Sequence, residues 1–144
     1  MKRRLSLFTV LFIAVIGFTA CTGNGAISVE GKEVPVNGGS YIDITPAQLN
    51  SMLETKDFLL VNVHIPYEGE ILQTDLLVPF DQIEANLSLF PEDKGAKIVL
   101  YCRSDSMSNI AARTMVKLGF TNIWNLDGGM IEWEKQGYEL IHKR

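Results

Sequence analysis

Cysteine and histidine are scarce in this chain, with two of each in 144 residues. Cys21 and Cys102 are too few for a disulfide framework. Together with His64 and His142 they are scattered rather than set at ligand spacing, so no metal site is expected. Basic charge is also in short supply. There are 13 Lys and Arg against 17 Asp and Glu, and three of the basic residues are Lys2, Arg3 and Arg4. The chain beyond Ala20 is therefore distinctly acidic, and because phosphate binding needs a basic face, nucleic acid is not an expected partner. No internal repeat or low-complexity tract stands out, and no apolar run reaches the ~20 residues that span a bilayer as a helix. What is present is a 47% hydrophobic content with 21% charge. That composition suits one compact α/β domain with a real core, in a chain too short for two domains of usual size.

The first twenty residues read as a targeting signal. Lys2, Arg3 and Arg4 form a basic region, and Leu5 to Phe18 is apolar apart from Ser, Thr and Gly. The run ends in Phe18, Thr19, Ala20, Cys21, which resembles the lipobox of bacterial lipoproteins, where the cysteine becomes the lipidated first residue of the mature protein. A plain secretory signal cleaved after Ala20, or an uncleaved anchor, are the alternatives. Residues 1–20 are thus expected to be a signal peptide and 21–40 a lipidated Cys21 with a flexible tether, whose Thr22, Gly23, Asn24 and Gly25 are small and polar. The folded domain is expected over 41–144. If Cys21 holds lipid, Cys102 has no partner within its own chain, and a lone thiol in an exported protein points to reactivity.

Within the domain, Thr45, Pro46 and Gln48 mark a helix start as N-cap, first helical residue and capping-box partner, with the helix running to about Glu54. Phe58 to Val63 and Ile98 to Tyr101 are short apolar runs of the kind buried on both faces of a parallel sheet. Leu76 to Phe80 reads as another strand, followed by a short helical stretch near Asp81 to Leu87. Ile110, Ala111, Met115 and Leu118 recur at helical spacing over Met107 to Leu118, and Gly119 stops the run. Asn122 to Leu126 reads as a strand, and Gly128 with Gly129 as the turn into a last helix near Met130 to Gln136. Alternating strands and helices argue for a parallel-rich sheet with helices on both sides.

Chemistry concentrates in Cys102, Arg103, Ser104, Asp105, Ser106, Met107 and Ser108, between a buried strand and a helix. In open α/β sheets ligands bind at the carboxyl ends of strands. A loop there can turn several N–H groups toward one point, and the following helix adds its positive end. Such a cradle favours an anionic thiolate or persulfide on Cys102. A small inert buried cysteine at a strand end is the alternative.

Tyr101 to Ser108 with Ala111 and Ala112, then Leu118 to Asn122, and Leu126, Asp127, Gly128, Gly129 with Trp133, resemble the second half of a rhodanese domain. The likeness covers roughly Tyr41 to Leu140, with its specific motifs in the C-terminal half. It implies the rhodanese-like α/β fold, a central parallel five-stranded sheet flanked by helices on both faces. It also implies sulfurtransferase activity: Cys102 attacks a donor sulfur, holds it as a persulfide without a cofactor, and passes it to a thiol or other thiophilic acceptor. Donor and acceptor are small molecules or proteins. Where the family commonly has Asp-Val-Arg this chain has Asn62, Val63, His64. Where it has Gly-His-Ile this chain has Gly69, Glu70, Ile71, so an ion pair usual near the site is expected to be missing. Asp105 stands where Gly is frequent and Met107 where Arg is frequent, which bears on substrate choice.

His64 is a candidate acid or base or a hydrogen-bonded structural residue. Arg103 either steadies an anionic sulfur or pairs with Glu68 or Glu70. Met130 and Trp133 fit a helix face packed on the sheet, and His142 sits among charged terminal residues. Two rival functions follow. One is a non-catalytic rhodanese-like module that binds a partner protein in the cell envelope. The other, phosphatase chemistry, needs a cation six residues after the cysteine to clamp phosphate, and Ser108 stands there.

Overall fold

The computed structural model describes residues 29–142. The expected signal, the lipidation residue Cys21 and the start of the tether lie outside the described residues.

Among the described residues the first elements form a hairpin of β1 (Lys32–Val36) and β2 (Gly39–Ile44). Its two-residue turn is Asn37-Gly38, with Gly38 at φ +94°, a backbone region that glycine enters without a Cβ clash. The folded sheet therefore begins at Lys32, ahead of the boundary expected at Tyr41. The glycines of that segment build a turn rather than a tether, and Asn-Gly between Val34, Val36 and Tyr41 is the sequence signal for it.

Helix α1 (Pro46–Leu53) starts on the capping box read from the sequence. Gln48 N–H donates to the Thr45 hydroxyl, and the Gln48 side chain accepts from Thr45 N–H. Strand β3 (Leu59–Asn62) follows, then the two-residue strands β4 (Glu70–Ile71) and β5 (Leu76–Leu77). The strand read over Leu76 to Phe80 is in register with β3 only at Leu76 and Leu77, although Val78 and Phe80 N–H still donate to the Asn62 and Val63 carbonyls beyond it. The expected short helical stretch is a 3-10 helix, Glu84–Leu89. Strand β6 (Ile98–Tyr101), helix α2 (Ser106–Lys117), strand β7 (Ile123–Leu126), helix α3 (Gly129–Lys135) and strand β8 (Leu140–Ile141) complete the chain.

The main sheet has the order β1-β2-β7-β6-β3-β5, and β4 with β8 forms a separate antiparallel pair. The five strands from β2 to β5 in that order run parallel. The sixth, β1, is antiparallel to β2. Among the described residues the sheet is therefore mixed and six-stranded rather than five-stranded, because the hairpin adds an edge strand that the tether reading omitted.

Two apolar layers cover the sheet. On one face Ile98, Leu100 and Cys102 alternate out of β6 and its extension, and pack with Val61, Val63 and Ile123 against Ala111, Ala112, Met115 and Val116 of α2. On the other, Val99 and Tyr101 pack with Leu60, Leu126 and Leu49 against Met130 and Trp133 of α3, the core role expected of both. The two-residue alternation of a strand thus sends Cys102 toward α2 and Tyr101 toward α3. β3 and β6 end abreast, with Asn62 opposite Tyr101, and the chain after each forms the rim of the site.

Candidate active site

Cys102 follows directly on β6, at the carboxyl end of the parallel strands, and α2 begins four residues later. It is a free thiol and 1% exposed. Two backbone hydrogen bonds tie its loop to the start of α3. Met130 N–H donates to the Cys102 carbonyl at 2.9 Å, and Ile131 N–H donates to the Arg103 carbonyl at 3.0 Å. A trans peptide points its N–H opposite to its carbonyl. The N–H groups of Arg103 and Ser104 are therefore directed away from α3.

Gly129 makes this approach possible. Both it and Gly128 have positive φ, and a Cβ on Gly129 would stand 2.4 Å from the Cys102 carbonyl oxygen and 2.8 Å from that of Arg103, whereas one on Gly128 would meet Glu132 of α3 instead. Gly129 is thus needed as the close docking point for the loop, in addition to its role in the turn.

The expected loop residues are brought to one place in different roles. Arg103 and Ser104 are exposed, as is Ser106. Met107 is partly buried and packs on the apolar layer that includes Cys102. Ser108 is fully buried, with its hydroxyl donating to the Asp105 carbonyl at 3.1 Å. Asp105 occupies the N-cap position of α2 at φ +85°, and its side chain does not cap the helix. The α2 N-terminus, where partial positive charge gathers, is thus left uncapped beside the cysteine loop.

Opposite this loop, Glu68 lies between two candidate residues. Its Oε2 is 2.5 Å from His64 Nε2, and its Oε1 is 3.6 Å from Arg103 Nη1. Glu68, one of the two partners expected for Arg103, is thus within ion-pair reach of it. The His64 ring is largely buried, and its Nδ1 makes no hydrogen bond. Asn62, at the position where the likeness has Asp, staples the same segment. Its amide donates to the Gly69 carbonyl at 3.0 Å and accepts from His64 N–H at 3.0 Å. An aspartate can supply the acceptor but not the donor. Below, the buried Tyr101 hydroxyl accepts from Ile71 N–H at 3.0 Å and lies 2.7 Å from the Thr74 hydroxyl. Burial, the largest cause, pushes its pKa up to about 12.

Sequence reasoning missed a polar cluster beneath Asp105, formed by Tyr41, Asp43, Asn109 and Asn125. A signal was available, because Asn125 interrupts the apolar strand Ile123–Leu126 in mid-sheet, and a buried amide in such a place must be satisfied by something.

The family model for the Rhodanese-like domain matches residues 45–136, which take in the cysteine loop and both glycines. The chain belongs to the rhodanese-like domain family. Among solved structures, this rhodanese-like chain is similar to a rhodanese-like domain protein from Staphylococcus aureus, with 28% identity, a TM-score of 0.59, and coverage of 71% of this chain and 98% of that one. It also shares its fold with a rhodanese-related protein from Thermoplasma volcanium, at 22% identity and a TM-score of 0.60, over 70% of this chain and 98% of that one. Among curated proteins it is similar to the tRNA uridine(34) hydroxylase of Escherichia fergusonii, at 30% identity over 109 residues, 72% of this chain and 31% of that protein. The Enterobacter sp. protein of the same name is 28% identical over 121 residues, 78% of this chain and 35% of that protein. The rhodanese-like chain spans about a third of the length of these curated relatives.

Proposed function

We propose that this rhodanese-like protein is a sulfurtransferase that carries sulfane sulfur as a persulfide on Cys102. The observation that supports this most is the arrangement around the thiol. The loop carbonyls of Cys102 and Arg103 are engaged by α3, so the adjoining N–H groups face away from it, and the α2 N-terminus beside them is uncapped. Donors so directed suit an anionic sulfur. Cys102 Sγ attacks the outer sulfur of a donor, the donor's bond to that sulfur breaks, and the remainder leaves with the electron pair. An acceptor thiolate then attacks the outer sulfur of the persulfide, and Cys102 leaves as a thiolate. No cofactor is required.

The test is intact mass of the full chain after exposure to sulfane donors such as polysulfide, cysteine persulfide and thiosulfate. One added sulfur on the native protein, absent from Cys102→Ala, is the expected result. No adduct from any donor would overturn the reading and favour a non-catalytic module that binds a partner protein. The 1% exposure of Cys102 is the observation that speaks for that second reading.

The same proposal places the protein outside the cytoplasm, held to the membrane by lipid on Cys21, with the domain on the periplasmic or other extracytoplasmic face. The basic, apolar and small-residue order that ends at Cys21 supports this. The acidic balance of the chain beyond Ala20 disfavours a nucleic-acid partner, so the activity named for the hydroxylase relatives is not carried over.

A further inference from the structure

An aspartate at a helix N-cap ordinarily accepts from the N–H groups of the first turn. Asp105 does not. Its carboxylate is held on two amides instead, with Oδ2 accepting from Asn109 Nδ2 at 2.6 Å and Oδ1 from Asn125 Nδ2 at 2.7 Å. Asn125 is fully buried in β7, which lies between β2 and β6. Its Nδ2 also donates to Asp43 Oδ1 at 2.8 Å and lies 3.3 Å from Asn109 Oδ1, which accepts from the Tyr41 hydroxyl at 2.8 Å.

This arrangement is costly. The buried Oδ1 of Asn125 has no hydrogen-bond partner, and an unsatisfied buried polar atom is destabilising. Two carboxylates also converge on a single amide. Burial first, then the charges of Asp105 and Asp127, hold the Asp43 carboxyl above its usual range even though the Asn125 hydrogen bond opposes them. An apolar residue in the middle of β7 would avoid the cost but would leave the Asp105 carboxylate held by Asn109 alone. With one of its two donors gone, the carboxylate, which belongs to the N-cap residue itself, would swing toward the N–H groups of α2 and place a negative charge where an anionic sulfur is to be held.

We propose that Asn125 is a positioning residue that draws the Asp105 carboxylate back from the α2 N-terminus and keeps those donors open to anions at Cys102. The inference rests on the sulfur-carrying reading for the identity of its ligand. Its electrostatic content is independent of that reading and is tested separately.

The experiment compares alkylation of Cys102 in the full chain by iodoacetate, an anion, and by iodoacetamide, its neutral counterpart. The ratio of the two rates reports local charge and cancels general changes in access. Asn125→Ala is expected to lower the ratio about tenfold, and adding Asp105→Gly is expected to restore it. Asn109→Ala, which removes the other donor from a helix surface rather than from the sheet, is expected to lower it about threefold and serves if Asn125→Ala does not fold. An unchanged ratio, or a fall that Asp105→Gly fails to restore, would overturn the proposal, because a merely structural asparagine is not rescued by deleting its partner. Persulfide yield by intact mass is read in parallel. Absence of sulfur on the native protein defeats the sulfurtransferase reading, while the alkylation ratio still decides the role of Asn125.

Discussion

The N–H of Met130 donates to the carbonyl of Cys102 across 2.9 Å, so the first turn of the last helix holds the cysteine loop by its backbone. The contact exists because Gly129 has no side chain at the point of closest approach.

Gly129→Ala is therefore expected to destabilise the protein by ~2 kcal/mol or more, since a clash with backbone and a left-handed φ act together. Urea unfolding checks this. Gly119→Ala is the control. Its φ is +90° but nothing lies within 4 Å of the added carbon, so the cost is expected to be about 1 kcal/mol.

Tyr101→Phe removes the hydroxyl that accepts from Ile71 N–H and is expected to cost ~1–3 kcal/mol near neutral pH. The pH dependence has a definite sign. Because the folded pKa is raised from 10.0 to about 12, the native state keeps its proton longer than the unfolded chain. The stability this confers is full below pH 10 and is lost as pH rises toward 12. Denaturation curves across that window should fall more steeply for the native protein than for the Phe variant.

Thiosulfate, a dianion, is expected to be a poorer donor than an uncharged persulfide, because Met107 supplies no cation to the loop. Met107→Arg is expected to raise the thiosulfate rate about tenfold while leaving a neutral donor little changed. The side chain is partly buried on the apolar layer, and an arginine stem can follow that path with its head in water. Equal gains with both donors would show that loop charge does not set donor choice.

Cys21→Ser is expected to leave a folded protein that no longer partitions with membranes. Fractionation of cells expressing the variant measures this, and recovery of the variant in the membrane fraction at the native level would exclude lipid anchoring at that residue.

Much of the architecture was legible from local pattern. The capping box at Thr45 and Gln48, the buried strand Ile98–Tyr101 and the helix ended by Gly119 all depend on residues close in sequence. The position of Cys102 at a strand end depends on the same kind of local signal. The hairpin turn at Asn37-Gly38 was legible too, but the surrounding glycines made the segment read as a tether.

The sequence by itself determined which residues lie on the sheet and which follow it, because apolar periodicity is a direct record of burial. Tertiary structure alone decided which polar groups meet. Asn125 reaches Asp105 across a separation of 20 residues and Asp43 across 82. Glu68 faces Arg103. Such meetings are set by strand order and register, which place side chains of distant strands on one face of the sheet, and no local pattern in the chain encodes either.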